Sequence, residues 1–241
     1  MLQGIDLSIA VGETRTILGG SGSGKSVCLK HMIGLLRADR GEVRIEGRDV
    51  TNLSERDWVA LRRDFGFVFQ GAALFDSLSV FDNVAYPIRE HLDLGDSALR
   101  DRVAESLAAV GLPGIEALHP AELSGGMRKR VGVARAIALE PRIILYDEPT
   151  TGLDPANSHR IGRLIRSLQA DRGLTSVVVT HDMPLCYAVS DRVGLLRAGH
   201  LVLESEAEAL HGSDDPELRE FLEGSATPAP PSIHAGPAPG A

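Results

Sequence analysis

An α/β fold, a parallel sheet covered on both faces by helices and interrupted by a mostly helical insertion, is predicted by three observations. Short apolar runs of strand length, Thr16-Ile17-Leu18, Ile143-Ile144-Leu145-Tyr146 and Thr175 to Thr180, alternate with longer stretches of helical character, as strands buried on both sides do. Between the first such strand and the first helix lies Gly19-Gly20-Ser21-Gly22-Ser23-Gly24-Lys25-Ser26, a loop by composition. After Phe69 the character changes to helix and loop through about Ala121, which marks the insertion.

In chain order, Ile5-Asp6-Leu7-Ser8-Ile9 alternates like a half-buried strand and Val11-Gly12-Glu13 supplies a turn. The apolar stretch Val27 to Leu36 predicts a helix. Glu42-Val43-Arg44-Ile45-Glu46 alternates again, with Val43 and Ile45 on one face, and ends at Gly47. Phe65 to Phe69 is a strand. Arg128 to Leu139 and Ser158 to Gln169 read as helices on either side of the Ile143 strand.

The 241 residues, 43% hydrophobic, can bury one sizeable core but not two full domains. Acidic residues outnumber basic ones 33 to 25, for a net charge of -8. That balance speaks against a general nucleic-acid-binding surface, leaving at most a local basic patch, and no nucleic-acid partner is expected. No apolar stretch approaches the roughly 20 residues that cross a bilayer, and no signal-peptide pattern opens the chain, so a soluble, cytoplasmic protein is expected. Cys28 and Cys186 stand in apolar helical contexts without metal-ligand spacing and read as reduced core thiols.

The glycine-rich segment satisfies G-x-x-x-x-G-K-[ST] between a strand and a helix, the arrangement that cradles nucleotide phosphates. Glycines let the backbone curl so that successive N–H groups point inward, Lys25 supplies a point charge, Ser26 a hydroxyl for magnesium, and the helix its positive end. ATP binding is therefore predicted, with Gly19, Gly20, Ser21, Gly22, Ser23, Gly24, Lys25, Ser26 and Val27 as the binding set. The run ending in Asp147-Glu148 carries the second half of the chemistry. A strand delivering Asp147 beside the phosphates can hold Mg2+, directly or through water, and Glu148 is placed to orient or deprotonate an attacking water. Hydrolysis of ATP with Mg2+ is the expected reaction.

From near Met1 to about Gly224 the order of these motifs resembles the nucleotide-binding domain of ATP-binding cassette (ABC) transporters. Gln70 matches the glutamine loop, Leu123-Ser124-Gly125-Gly126-Met127 the signature, Asp147-Glu148 the Walker B pair, Asp154 the D-loop and His181 the switch histidine. The resemblance implies a P-loop NTPase (RecA-like) core with an N-terminal antiparallel β region and a helical subdomain at roughly 71–130, inside a cassette of 1–224. Residues 225–241, rich in Pro, Ala and Gly, read as a disordered tail. The resemblance also implies Gln70 and His181 as catalytic companions of Glu148, and Ser26, Gln70 and Asp147 as the metal set. Ser124, Gly125 and Gly126 precede a helix expected near Met127 and so form a second anion-binding terminus. With Asp154, they are implied to act on ATP held by the other copy of a head-to-tail homodimer.

Within the family, Phe69 to Val84, Tyr146 to Pro155, and Ser213 to Pro216 with Phe221 to Gly224 look similar to the ATPases of maintenance-of-lipid-asymmetry systems. That similarity implies phospholipid trafficking, an integral-membrane permease, a mammalian-cell-entry-type lipid-binding protein, and a place on the cytoplasmic face of the inner membrane. A cassette for a small solute such as an amino acid is the alternative within transport. Outside it, a cassette acting on DNA or ribosomes is disfavoured by the acidic balance and by the absence of heptads between the two ATP motifs. Two departures stand out. Gly20 occupies a position where many cassettes have proline, and no aromatic residue precedes Lys25, although the family usually stacks one on adenine. An N-terminal extension carrying that residue is expected.

Overall fold

The alternation of apolar runs and helices folds, in the computed structural model, into one sheet with helices on both sides; residues 1–210 and 212–226 are described. The elements are β1 (Thr14–Leu18), α1 (Lys25–Met32), β2 (Arg44–Ile45), β3 (Arg48–Asp49), α2 (Glu55–Leu61), β4 (Phe65–Val68), α3 (Val80–His91), α4 (Asp96–Ala109), α5 (Gly125–Ile137), β5 (Ile143–Asp147), α6 (Pro155–Arg172), β6 (Thr175–Thr180), α7 (Met183–Val189), β7 (Arg192–Arg197), β8 (His200–Glu206) and α8 (Pro216–Ala226). Six strands form the sheet in the order β4-β5-β6-β1-β7-β8, all parallel except for the antiparallel β7-β8 pair.

Successive side chains of a strand point to opposite faces, and the two layers of core follow from that. Ile144 and Tyr146 of β5 and Val178 of β6 join the cluster under α3, α4, α5 and α6. Leu145, Val177 and Val179 face the other way, onto Cys28, Leu29 and Ile33 from α1 and its end. Both cysteines are buried and free, and burial pushes each thiol up to about 11.

Between β4 and β5 the chain is helical, and α5 lies directly on β4. A Cβ added at Gly66 would stand 2.7 Å from the carbonyl oxygen of Ala136. Backbone cannot yield as a flexible side chain does, so Gly66→Ala is expected to destabilise the protein by about 1–3 kcal/mol. An unchanged denaturant midpoint for this variant would contradict the close helix-on-strand packing.

Several sequence expectations are corrected at particular elements. Residues 5–9 keep alternating burial, with Ile5, Leu7 and Ile9 packed on the second core cluster, yet form no strand. Among the described residues no strand is hydrogen-bonded to them in a ladder, and Gln3 N–H to Gly199 O is the backbone contact nearby. The expected antiparallel β region of the N-terminal part is present as the short pair β2-β3, closed by Glu46 (φ 50) and Gly47 (φ 79), the two left-handed residues of a tight hairpin turn. Helix α1 stops at Met32 rather than Leu36. Gly34 at φ 65, with Gly34 N–H on His31 O and Leu35 N–H on Lys30 O, ends it in a Schellman turn and leaves Leu35 and Leu36 exposed.

Helix α5 begins at Gly125, earlier than expected, because the Ser124 side chain accepts from Met127 N–H and caps it. Helix α6 is longer than expected, from Pro155 to Arg172, capped by Asp154 with proline at its first turn. Of the expected C-terminal tail, Ser225 and Ala226 close α8. Residues 227–241 lie outside the described residues.

Candidate functional site

The strand β1 runs into a loop whose shape only glycine permits at two places, Gly22 (φ 76) and Gly24 (φ 110). A Cβ at Gly19 would meet Leu196 O at 2.5 Å, whereas Gly20 faces open space. Gly24 caps α1, and Cys28 N–H closes the first helical turn on Gly24 O. The amides of Lys25, Ser26 and Val27 are therefore left without a helical partner, and no acidic residue occupies that turn. The Ser23 hydroxyl is buried without a hydrogen-bond partner. Unpaired amides, an orphan hydroxyl and a positive helix end form a donor set suited to a polyphosphate.

Lys25, only 7% exposed, donates to Gly19 O (2.7 Å) and Gly20 O (3.0 Å) and pairs with Glu148 Oε1 at 3.2 Å. Ser26 Oγ donates to Asp147 Oδ1 at 2.9 Å, across 121 positions of sequence. The parallel pairing of β5 with β6, and of β6 with β1, brings these ends side by side. Burial holds the Asp147 carboxyl above its usual range, the neighbouring Glu148 adding to this and the Ser26 hydroxyl and Lys25 opposing it. A hydroxyl and a carboxylate at one point are hard oxygen donors of the kind that hold Mg2+ beside substrate phosphates.

Glu148 sits at φ 48, a left-handed conformation uncommon for a residue with a side chain. Its carboxylate is nearly buried and gathers partners from three elements: Lys25, His181 Nδ1 at 2.9 Å, and the hydroxyls of Thr151 and Thr180 at 3.4 Å. His181, at the end of β6, is otherwise solvent-facing. The loop after β5 is tied to the histidine loop by Thr150 Oγ1 donating to Asp182 Oδ2 at 2.8 Å, and Asp182 caps α7. The arrangement can polarise or orient a water next to bound phosphate.

Other expected residues stand apart from this cluster. The Gln70 side chain is exposed and, among the described residues, makes no hydrogen bond to Ser26, Asp147 or Glu148. Ser124, Gly125 and Gly126 form the start of α5, with no acidic residue in its first turn, and pack on α6, where a Cβ at Gly126 would lie 2.6 Å from Asn157 Oδ1. Asn157 is in turn held by Asp154, through its backbone N–H at 2.9 Å and its side-chain amide at 2.5 Å. Signature and D-loop thus form a second cluster that shares no hydrogen bond with residues 19–27 among the described residues. Sequence reasoning missed Lys129, 6% exposed, whose ammonium donates to Gln70 O and to Glu148 O. Arg128 to Leu139 reads in sequence only as a helix, and no local signal sets Lys129 apart.

Strand, phosphate loop and helix, with Ser26 joined to Asp147 at the ends of neighbouring strands, define a P-loop nucleoside-triphosphate-binding fold. The chain belongs to the ABC transporter family, whose model matches residues 2–151. It is 46% identical over 220 residues to the probable ribonucleotide transport ATP-binding protein mkl of Mycobacterium tuberculosis (strain ATCC 25618 / H37Rv), covering 91% of this chain and 61% of that protein. It is 40% identical over 233 residues to the intermembrane phospholipid transport system ATP-binding protein MlaF of Escherichia coli (strain K12), covering 96% and 87%. The chain thus spans 61% of the length of its mycobacterial relative. Among solved structures, the ATP-binding cassette MJ0796, in a dimeric post-hydrolysis state bound to ADP and Pi, matches with a TM-score of 0.79 at 35% identity over 86% of this chain and 90% of that one. The cassette cbiO1 of Clostridium perfringens, part of the ABC transporter complex cbiONQ, matches with a TM-score of 0.82 at 28% identity over 92% of each.

Proposed function

We propose that this chain binds and hydrolyses ATP as one of two identical cassettes, and that it energises phospholipid movement through an integral-membrane permease on the cytoplasmic face of the inner membrane. The convergence of Lys25, Ser26, Asp147, Glu148 and His181 at the ends of β1, β5 and β6 carries the reading.

In this reading the loop amides and Lys25 bind the β- and γ-phosphates, and Ser26 and Asp147 hold magnesium, which when bound supplies charge neutralisation to the transferred phosphoryl group. Glu148 orients the attacking water and accepts its proton, while His181 fixes the carboxylate. Gln70 reports on the γ-phosphate side of the site. Ser124, Gly125, Gly126 and Asp154, grouped away from the phosphate loop, act on the partner copy's nucleotide, so a two-fold dimer has two composite sites. The dimeric MJ0796 cassette with ADP and Pi supports both pairing and turnover.

The working unit is residues 1–224, with 71–130 as the insert that meets the permease. On that insert the rings of Phe75 and Tyr86 meet at a tilt with centroids 5.0 Å apart, 43% and 44% exposed, an aromatic surface with Arg135 set against it. No helix among the described residues is long and apolar enough to cross a membrane, and an integral-membrane permease is the path proposed. The phospholipid assignment rests on the similarity to MlaF across nearly the whole chain, and a mammalian-cell-entry-type lipid-binding protein is the further partner proposed. The name carried by the mycobacterial relatives favours a second reading, transport of a small solute.

Affinity purification of the C-terminally tagged protein from its own cell membranes, with the partners identified by mass spectrometry, separates the two. Recovery of a permease with a mammalian-cell-entry-type protein is expected. A small-solute permease with its binding protein would overturn the phospholipid reading.

A further inference from the structure

Two cationic side chains of α5 take up three backbone carbonyls of the glutamine segment. Lys129 donates to Gln70 O, and Arg135 donates to Ala72 O and Ala73 O, each at 2.8 Å. Lys129 donates as well to Glu148 O, at 3.4 Å. Its ammonium is buried, and a buried ammonium is tolerated only where dipoles of this kind satisfy it. Both segments that it touches are held in the left-handed region, Ala72 at φ 62, Ala73 at φ 47 and Glu148 at φ 48, conformations that persist only when their surroundings enforce them. Positions 129, 132 and 135 follow one face of the helix. At its middle, Gly132 faces Ala72, where a Cβ would come into van der Waals contact with Ala72 Cβ and O at 3.4 Å.

We propose that Lys129 is a positioning residue for hydrolysis: by bridging Gln70 O and Glu148 O it fastens the glutamine segment and the glutamate turn to the signature helix, so that the three move as one body. The proposal rests on the roles given above to Glu148 and Gln70. Lys129 touches backbone rather than phosphate. Its loss leaves the contacts of Lys25 and Ser26 in place and frees the turn that aims Glu148. Hydrolysis then suffers while nucleotide binding does not.

The test compares the full chain with Lys129→Met and Lys129→Arg in three measurements: amide hydrogen exchange without nucleotide, MgATP binding, and steady-state turnover. In Lys129→Met the amides of Ala72 and Thr151, bonded to Phe69 O and Glu148 O, are expected to exchange about tenfold faster. Its kcat is expected to fall about 100-fold, with Kd for MgATP within about threefold of the parent. Lys129→Arg, which keeps the donors, recovers most of the loss. Parental exchange at those two amides, parental kcat, a loss confined to Kd, or equal losses in both variants would overturn the proposal. Should Lys129→Met not fold, Lys129→Gln, whose shorter neutral amide lacks the ammonium charge and reach, takes its place under the same criteria. A parent that neither binds nor hydrolyses ATP, or a Glu148→Gln variant that turns over normally, sinks the underlying reading instead and leaves the exchange comparison standing.

Discussion

Glu148→Gln is expected to bind MgATP as the parent does and to hydrolyse it slower by about 10²–10⁴-fold, the usual contribution of a positioned general base. The amide keeps the volume and the hydrogen-bonding reach of the carboxylate, and glutamine meets the same φ 48 backbone as glutamate. What it removes is the negative charge between Lys25 and His181 that accepts a proton from water. Because ATP then persists, paired cassettes accumulate, as any ligand that binds one state stabilises it. Phosphate release measured beside size-exclusion chromatography in MgATP checks both halves. A variant with parental turnover, or one that stays monomeric in excess ATP, would refute the role of Glu148.

Lys25→Ala is expected to weaken ATP binding by at least about 100-fold, in line with losing charge-assisted hydrogen bonds to phosphate. It has a second, separate effect. Without nucleotide, Lys25 is the buried cation that faces Glu148 and also ties down Gly19 O and Gly20 O. Removing it takes the lysine cation away from a nearly buried carboxylate that keeps only His181 and two long hydroxyl contacts, and a loss of about 1–3 kcal/mol in unfolding free energy is expected. Part of that loss belongs to the pair. Lys25→Ala combined with Glu148→Gln should therefore be less destabilised than the sum of the single variants, by about 0.5–3 kcal/mol. Urea unfolding of the four proteins gives the coupling directly, and strict additivity would show that Lys25 and Glu148 do not interact in the folded chain.

The central strands and the phosphate loop were legible in the sequence because their local patterns admit few alternatives. Ile143 to Asp147 and Thr175 to Thr180 are parallel strands buried on both faces, so their apolar runs are continuous. Residues 5–9 show the limit of this signal: period-two alternation reports which side chains are covered, and the chain there is covered on one side with no hydrogen-bonded strand neighbour among the described residues. Leu35 and Leu36 misled for the opposite reason, since apolar character continued past a turn that Gly34 had already imposed. Gly125 and Gly126 read as loop, although one hydroxyl, that of Ser124, suffices to start α5 before them. At the site, Lys25, Ser26, Asp147 and Glu148 could be named because each lies within a short motif. Lys129 could not, because its burial arises from Gln70 and Glu148, which reach it only after the fold has closed.

The placement of β1 between β6 and β7 has a consequence for how the chain is made. The phosphate loop is synthesised early, but both neighbours of the strand that aims it arrive more than 150 positions later, Thr14 meeting Ser176 and Arg15 meeting Arg192. During translation the first strand therefore waits with both edges unpaired while the helical insert, rich in local contacts, is free to form ahead of it. ATP competence then waits on β7, and premature termination between the phosphate loop and β7 yields a product with an intact glycine loop and a bare strand edge open to aggregation.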